Sequence, residues 1–109
     1  MITTKVARRI TIVHDAALKE LIFDQIEVLG AACYHYLEVE GKGRHAVTGD
    51  PYNGGRLLRV EIVTTQAIGA KILDWIHAAQ FAQLNQYALF AFADNVEVDE
   101  RDQAITQTI

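Results

Sequence analysis

The chain is poor in the residues that build disulfide frameworks, stiff turns and basic surfaces. Its 109 residues include one cysteine, one proline and one tryptophan, and 14 acidic against 10 basic residues give a net charge of −4. A single cysteine cannot form an internal disulfide, and the negative charge disfavours binding to nucleic-acid phosphates or anionic lipid. The chain also lacks a run of about 18 apolar residues and a charged-then-apolar signal stretch. We therefore expect a cytoplasmic protein that binds no nucleic acid and does not insert into a membrane.

What is present is a set of clear hydrophobic periods within one domain-sized chain, 1–109. These periods predict strands at Val6–Val13, Cys33–Glu40, Arg56–Val63 and Tyr87–Ala93, with a short edge extension at Val96–Val98. They predict helices at Ala16–Leu29, capped by Asp15 and Gly30, and from Thr64 or Thr65 to the region of Gln83–Asn85. Residues 99–109 form a polar C-terminal tail. The last strand is predicted to be buried, because its apolar run is almost unbroken.

The order of these elements is that of the split βαβ motif, so we expect an α+β, ferredoxin-like βαββαβ domain. Right-handed crossovers would place both helices on one face of its antiparallel sheet. The residues expected on the other face are Val13, Val63, Leu89, Ala91, Tyr34 and Tyr36. Since that is a large apolar patch to leave in water, we expect an oligomer that buries these faces together.

Residues 41–55 are too many for a simple hairpin connection, which usually needs about 2 to 5 residues. The segment holds five of the seven glycines and the only proline, so its backbone can approach a ligand closely. Lys42 and Arg44 lie on this glycine framework and indicate a phosphate-binding loop. The alternative is that both are solvated loop charges.

The chain resembles the PII signal-transduction superfamily, and within it the proteins tied to inorganic-carbon uptake: bicarbonate-transporter regulators and carboxysome-associated PII proteins. The resemblance is carried by EVLGAACYHYLEVEGKGR at 27–44, VEIV at 60–63 and NQYA at 85–88. It implies a homotrimer with an adenine-nucleotide site in each cleft between subunits. Residues 41–55 would be the T-loop, which docks on a protein target. The residues implied for nucleotide binding are His35, Gly41, Lys42, Gly43, Arg44, Val63, Asn85 and Tyr87.

The departures from the nitrogen-sensing branch narrow the implied ligand. The second glycine- and lysine-rich phosphate loop is missing, and Glu97 and Asp99 stand where that branch has paired arginines. We therefore expect AMP, ADP or cyclic AMP rather than ATP with 2-oxoglutarate, and no tightly bound cofactor. Bicarbonate is implied as a second ligand, which Lys42, Arg44 and His45 would hold. The implied target is a bicarbonate transporter or a carboxysome component, and the missing C-terminal redox cysteines favour the carboxysome-associated type.

Other interpretations remain open from the sequence. Arg59 is included among the nucleotide-binding residues, although strand arginines commonly pair with acids such as Glu61. No nucleophile with an adjacent base is recognisable, so we expect no enzyme activity; the histidine spacing predicts no metal site. A trimeric protein that handles divalent metals would share the general shape. An RNA-binding module with Tyr34 and Tyr36 as stacking platforms is a third possibility.

Overall fold

The sequence pattern of alternating strands and helices is realised in the computed structural model, which describes residues 3–41 and 56–99. The elements are β1 (Thr4–Asp15), a 3-10 turn (Ala16–Leu18), α1 (Lys19–Val28), β2 (Tyr34–Val39), β3 (Leu57–Thr64), α2 (Gln66–Gln80) and β4 (Leu89–Asp99). Their order confirms the predicted βαββαβ arrangement. Neither described helix is long and apolar enough to cross a bilayer.

The strands form one antiparallel sheet in the order β2-β3-β1-β4. One buried cluster joins both helices to the same side of this sheet and includes Ile22 and Ile26 of α1, Ile72 and Ile76 of α2, and Ile10, Ile12, Val60 and Ile62 of the central strands. The ferredoxin-like fold with two helices on one face is thus confirmed.

The register decides which side chains lie under the helices, because directly paired residues of antiparallel strands project from the same face. Leu89 pairs with His14 and Ala91 with Ile12 in the β1–β4 ladder. Tyr34 pairs with Ile62 and Tyr36 with Val60 in the β2–β3 ladder. These two tyrosines, Leu89 and Ala91 therefore lie on the helix-covered face, and their predicted place on the other face was wrong.

The opposite side of the sheet, which we call the open face, carries Val13 and Val63 as predicted. Its largest apolar side chains are Leu37, Phe90 and Phe92, which are 53%, 42% and 48% exposed in the protomer. They face outward because Phe90 pairs with Val13 and Leu37 pairs with Arg59, itself the partner of Val13 in β3. An uncovered apolar surface therefore exists, but Leu37, Phe90 and Phe92 lie on it in place of the four residues that are under the helices.

The last strand also differs from the prediction of a buried strand at Tyr87–Ala93 with a separate extension at Val96–Val98. β4 is one continuous edge strand that pairs with β1 from Leu89 to Asp99. Its apolar run looked fully buried because Phe90 and Phe92, which point to the open face, alternate with Leu89, Ala91 and Ala93, which point to the core. Asp99, the first residue of the predicted tail, ends this strand, and residues 100–109 lie outside the described range.

The helix termini follow local chemistry. The Asp15 carboxylate accepts a hydrogen bond from the Ala17 backbone N–H (2.9 Å), and the Thr65 hydroxyl accepts one from Ile68 N–H (3.0 Å). Both predicted caps are confirmed, although the first turn after Asp15 is 3-10 and the α-helix begins only at Lys19. After α1, Gly30 has φ +115°, a left-handed conformation that side chains rarely adopt.

We expect Gly30→Ala to lower the free energy of unfolding by about 1 to 3 kcal/mol, since a non-glycine residue is strained at this φ. The added Cβ would also lie 3.1 Å from Ile68 Cδ1. Gly41→Ala is the matched control, because a Cβ there would meet only Leu57 Cδ1 at 3.8 Å. Chemical denaturation of both variants without ligand measures the difference. Equal stability of the two would contradict the strain argument.

Candidate functional site

A network of three polar side chains, His35, Glu61 and Arg59, lies on the open face where β2 runs beside β3. The Glu61 carboxylate accepts hydrogen bonds from His35 Nε2 (3.1 Å) and from Arg59 Nη2 (3.2 Å). The side chains of His35 and Arg59 are 68% and 45% exposed, whereas that of Glu61 is 23% exposed. Glu61 therefore holds an imidazole and a guanidinium in place while both can still meet a ligand.

Two shallow depressions meet at this network. The first, of about 190 Å³, is lined by Cys33, Tyr34, His35, Glu61 and Val63. The second, of about 140 Å³, is lined by His35, Leu37, Val39, Arg59 and Glu61. Each is smaller than the roughly 300 to 1,000 Å³ of typical small-molecule sites, so neither depression encloses a small molecule with the described residues alone.

The structure brings together part of the predicted nucleotide site. His35 and Val63 line one depression, and Arg59 lines the adjoining one. Gly41 is exposed just after β2. The remaining residues predicted at this corner, Lys42, Gly43, Arg44 and His45, lie outside the described residues.

Asn85 and Tyr87 do not join this cluster within one protomer. Both precede β4, at the edge of the sheet opposite β2. With strands about 4.8 Å apart, three strand spacings place β4 roughly 14 Å from β2. Tyr87 and His35 therefore lie near opposite edges of the sheet in one protomer.

An ion pair that the sequence did not reveal joins Glu38 of β2 to Arg56, the residue before β3. The Arg56 guanidinium donates two hydrogen bonds to the Glu38 carboxylate, from Nε to Oε1 (2.5 Å) and from Nη2 to Oε2 (3.0 Å). This contact lowers the pKa of the Glu38 carboxyl from its ordinary value. Both side chains are exposed, so the pair contributes little to stability, but it occupies the Arg56 cation.

The pairing of strand arginines with nearby acids is confirmed for Arg59 with Glu61. That contact could be read from the sequence, since residues two apart on a strand share a face. The contact between Arg56 and Glu38 could not be read, because it depends on how β2 and β3 are aligned across a long connection.

The two strand tyrosines proposed as stacking platforms are instead engaged with α1. The Tyr34 hydroxyl donates to Glu27 Oε1 (2.8 Å), and Phe23 packs on the rings of Tyr34 and Tyr36 with centroids 5.2 and 5.0 Å away. Burial, with the Glu27 contact as a second cause, raises the pKa of Tyr34 to about 12. Within residues 3–41 and 56–99, no group of three or more histidine, cysteine or acidic residues could hold a metal ion.

Comparison with known families decides the relationship. A family model for the nitrogen regulatory protein P-II matches residues 7–98. The chain belongs to the P-II family. This P-II chain matches no curated protein in sequence.

Several solved structures share the fold of this P-II chain. A PII-like signalling protein from Thermus thermophilus is similar over 94% of this chain and 98% of its own, with a TM-score of 0.74 and 22% identity. CPII from Thiomonas intermedia, solved with ADP, AMP and acetate, covers 95% of this chain and 98% of its own (TM-score 0.74, 17% identity). CPII solved with ADP and bicarbonate covers 91% of this chain and 94% of its own (TM-score 0.73, 16% identity). At these identities the similarity establishes the fold.

Proposed function

We propose that this P-II chain is a non-enzymatic regulatory sensor that binds AMP, ADP or cyclic AMP in the clefts between the subunits of a homotrimer. The observation that carries the proposal is the His35–Glu61–Arg59 network on the open face beside Val63. The network presents hydrogen-bond donors on both sides of one carboxylate, next to an apolar edge. Such an arrangement suits a ligand with an apolar ring and polar substituents, as an adenine nucleoside has.

The position of the site between subunits is supported by two physical arguments. The depressions at the network are too shallow to enclose a nucleotide, and the segment with Asn85 and Tyr87 lies at the opposite edge of the sheet. A neighbouring subunit would supply both the missing wall and this segment. The exposed Leu37, Phe90 and Phe92 give such an assembly an apolar surface to bury.

The phosphate is assigned to the loop entry, Gly41 to Arg44, on the strength of the family resemblance and of the residue types. Glycines allow close approach of backbone N–H groups, and Lys42 and Arg44 add positive charge. The Glu61 carboxylate would repel a phosphate placed at the network itself, so the phosphate would point away from the network, toward Gly41. The missing second phosphate loop, and Glu97 and Asp99 in place of paired arginines, favour a mono- or diphosphate over ATP.

Bicarbonate is proposed as a second ligand, held by Lys42, Arg44 and His45. Support comes from the related CPII structure that was solved with ADP and bicarbonate and from the affinity of basic, glycine-rich loops for small anions. We further propose that the T-loop, residues 41–55, signals to a bicarbonate transporter or a carboxysome component. The chain would then act in the carbon-concentrating machinery, in association with carboxysomes.

Thermal unfolding with single ligands tests the sensor proposal. AMP, ADP or cyclic AMP at about 100 times its dissociation constant should add about 2.7 kcal/mol to the free energy of unfolding, which raises Tm by several degrees. Protein concentration must be held constant, because Tm of an oligomer depends on it. GMP serves as the control for the base, and ATP tests the expected preference for fewer phosphates.

Other ligands in the same thermal unfolding assay distinguish the sensor from the alternative functions. A shift with copper alone would favour a metal-handling trimer, and a shift with a short single-stranded RNA alone would favour an RNA-binding module. If no adenine nucleotide moves Tm, the sensor proposal is wrong. Bicarbonate is tested in the presence and absence of ADP, and a shift that appears only with ADP would support its role as a second ligand.

A further inference from the structure

His14, near the end of β1, is a fully buried histidine with a fixed tautomer. Its ring is 0% exposed, and Nδ1 lies 2.7 Å from the Asp15 carbonyl oxygen. A carbonyl oxygen can only accept, so Nδ1 carries the proton and Nε2 is a bare acceptor in the neutral ring. None of the described residues hydrogen-bonds Nε2. Adding a proton there would bury a charged donor without a partner, which is strongly unfavourable.

The surroundings of His14 also oppose a positive charge. The Phe23 ring of α1 meets it edge to face at 6.4 Å, and the paired residues of β3 and β4 are Leu58 and Leu89. The charged group that acts on the ring is Asp15, whose carboxylate already caps Ala17. On α1, the Lys19 ammonium lies 5.9 Å from the centroid of the neighbouring Phe23 ring. Burial lowers the pKa of His14, and the Asp15 carbonyl and carboxylate offset this only in part.

The residues next to His14 fasten two separate parts of the chain. Asp15 N–H donates to the Ala88 carbonyl and Ala16 N–H donates to the Arg56 carbonyl, both at 2.8 Å. Arg56 directly follows segment 42–55, and Ala88 directly follows Tyr87. The junction of residues 14–16 therefore holds the root of the predicted T-loop and the segment that the neighbouring subunit would contribute to the cleft.

We propose that His14 is a proton-sensitive lock: uptake of a proton at Nε2 opens the junction of residues 14–16 and releases Arg56 and Ala88 together. Protonation is strongly disfavoured where the ring lies, so the ring takes up a proton mainly when it reaches water, and that movement displaces the end of β1. The proposed opening of the junction is argued from the contacts of His14, Asp15 and Ala16 alone. Its effect on ligand binding rests on the proposed function.

The direction of the pH dependence follows from the lowered pKa. The neutral ring fits the closed junction, whereas the open junction binds a proton with the ordinary histidine pKa of about 6.5. The closed junction therefore has its full stability relative to the open junction above about pH 6.5. This stability decreases as pH falls below that value, and it stops decreasing once pH is below the pKa of the closed form. Opening becomes about tenfold easier for each pH unit in this window.

Amide hydrogen exchange at Asp15 and Ala16, expressed as protection factors, tests the lock on the ligand-free protein. Between pH 7.5 and 5.5 the protection of both amides should fall about tenfold in wild type. It should stay constant in His14→Gln, whose amide can donate to the Asp15 carbonyl but does not titrate. His77→Gln, on the exposed side of α2, should behave as wild type. Equal pH responses of wild type and His14→Gln would overturn the proposal.

If His14→Gln does not fold, the lock can still be tested by following the NMR signals of the His14 ring in the wild-type protein as a function of pH. The His14 ring should titrate below its ordinary pKa, and the Asp15 and Ala16 amide signals should shift together with it. Titration of the ring without movement of those amides would overturn the lock. ADP affinity measured at pH 7.5 and 5.5 then separates the two proposals. If neither AMP, ADP nor cyclic AMP binds at either of the two pH values, the sensor proposal is wrong, and the exchange test of the lock remains valid.

Discussion

The double substitution Phe90→Asp and Phe92→Asp is expected to convert the proposed trimer to a monomer of 12.2 kDa. Fully burying a phenylalanine contributes about 1.5 to 3 kcal/mol, and these two rings are 42% and 48% exposed in the protomer. Assembly would cover the exposed part of both rings in each of three subunits. The introduced carboxylates would in addition lose their hydration at the interface.

Sedimentation equilibrium at micromolar concentration measures this change. The protomer should keep its fold, because neither ring belongs to the core beneath the helices, and circular dichroism checks this. Phe81→Asp is the matched control: Phe81 is more exposed, at 59%, but it follows α2 and does not lie on the sheet. A monomeric wild type, or a double variant that remains trimeric, would show that the open face is not the subunit interface.

The monomeric variant should also lose nucleotide binding, since Tyr87 and His35 meet only across two subunits in the proposed cleft. A monomer that binds ADP with wild-type affinity would place the whole site within one protomer. That result would contradict the argument from the separation of the sheet edges, whatever the oligomeric state.

The sequence predicted the fold where the signals are local. Asp15 and Thr65 cap helices through hydrogen bonds to amides two or three residues away, and Gly30 is required by its own φ. Each of these features depends on neighbours along the chain. The order of elements was predictable for the same reason, because each strand and helix has its own hydrophobic period.

The assignment of β2 and β4 to faces failed because it depends on register. A shift of one residue moves every side chain of a strand to the other face. The alternation of apolar and polar residues shows that a strand has two faces, but it does not show which face the helices cover. This is why Tyr34 and Tyr36, and likewise Leu89 and Ala91, were assigned to the wrong face. Phe23, which packs on both tyrosines, settles the phase for β2. An edge strand with small residues on one side and phenylalanines on the other then appears as an unbroken apolar run.

The site was predictable only in part, for a related reason. His35 and Val63 were expected in the candidate site because of the family resemblance, and Arg59 and Glu61 share a face by their spacing alone. The contact between Arg56 and Glu38 and the burial of His14 arise from pairing between strands distant in sequence. Neither feature can be predicted without knowing which residues of the paired strands lie opposite one another.

Arg44→Ala is expected to weaken ADP binding by roughly ten- to a hundredfold, the value of one charge-assisted hydrogen bond to phosphate. Arg56→Ala is the matched control. It removes the same side chain and the same charge from the other end of segment 42–55, but the Arg56 guanidinium is already held by both oxygens of Glu38. Its loss should therefore change the ADP affinity by less than about threefold.

Isothermal titration with ADP at fixed ionic strength measures both variants, and equal net charge removes long-range electrostatics as an explanation for any difference. A large loss with Arg56→Ala and none with Arg44→Ala would reverse the assignment: the phosphate would lie at the β3 end of the segment, and ligand binding would have to displace Glu38. Equal losses would mean that the two arginines converge on one phosphate. Only a loss of ADP affinity that is confined to Arg44→Ala supports phosphate binding at the loop entry, Gly41 to Arg44.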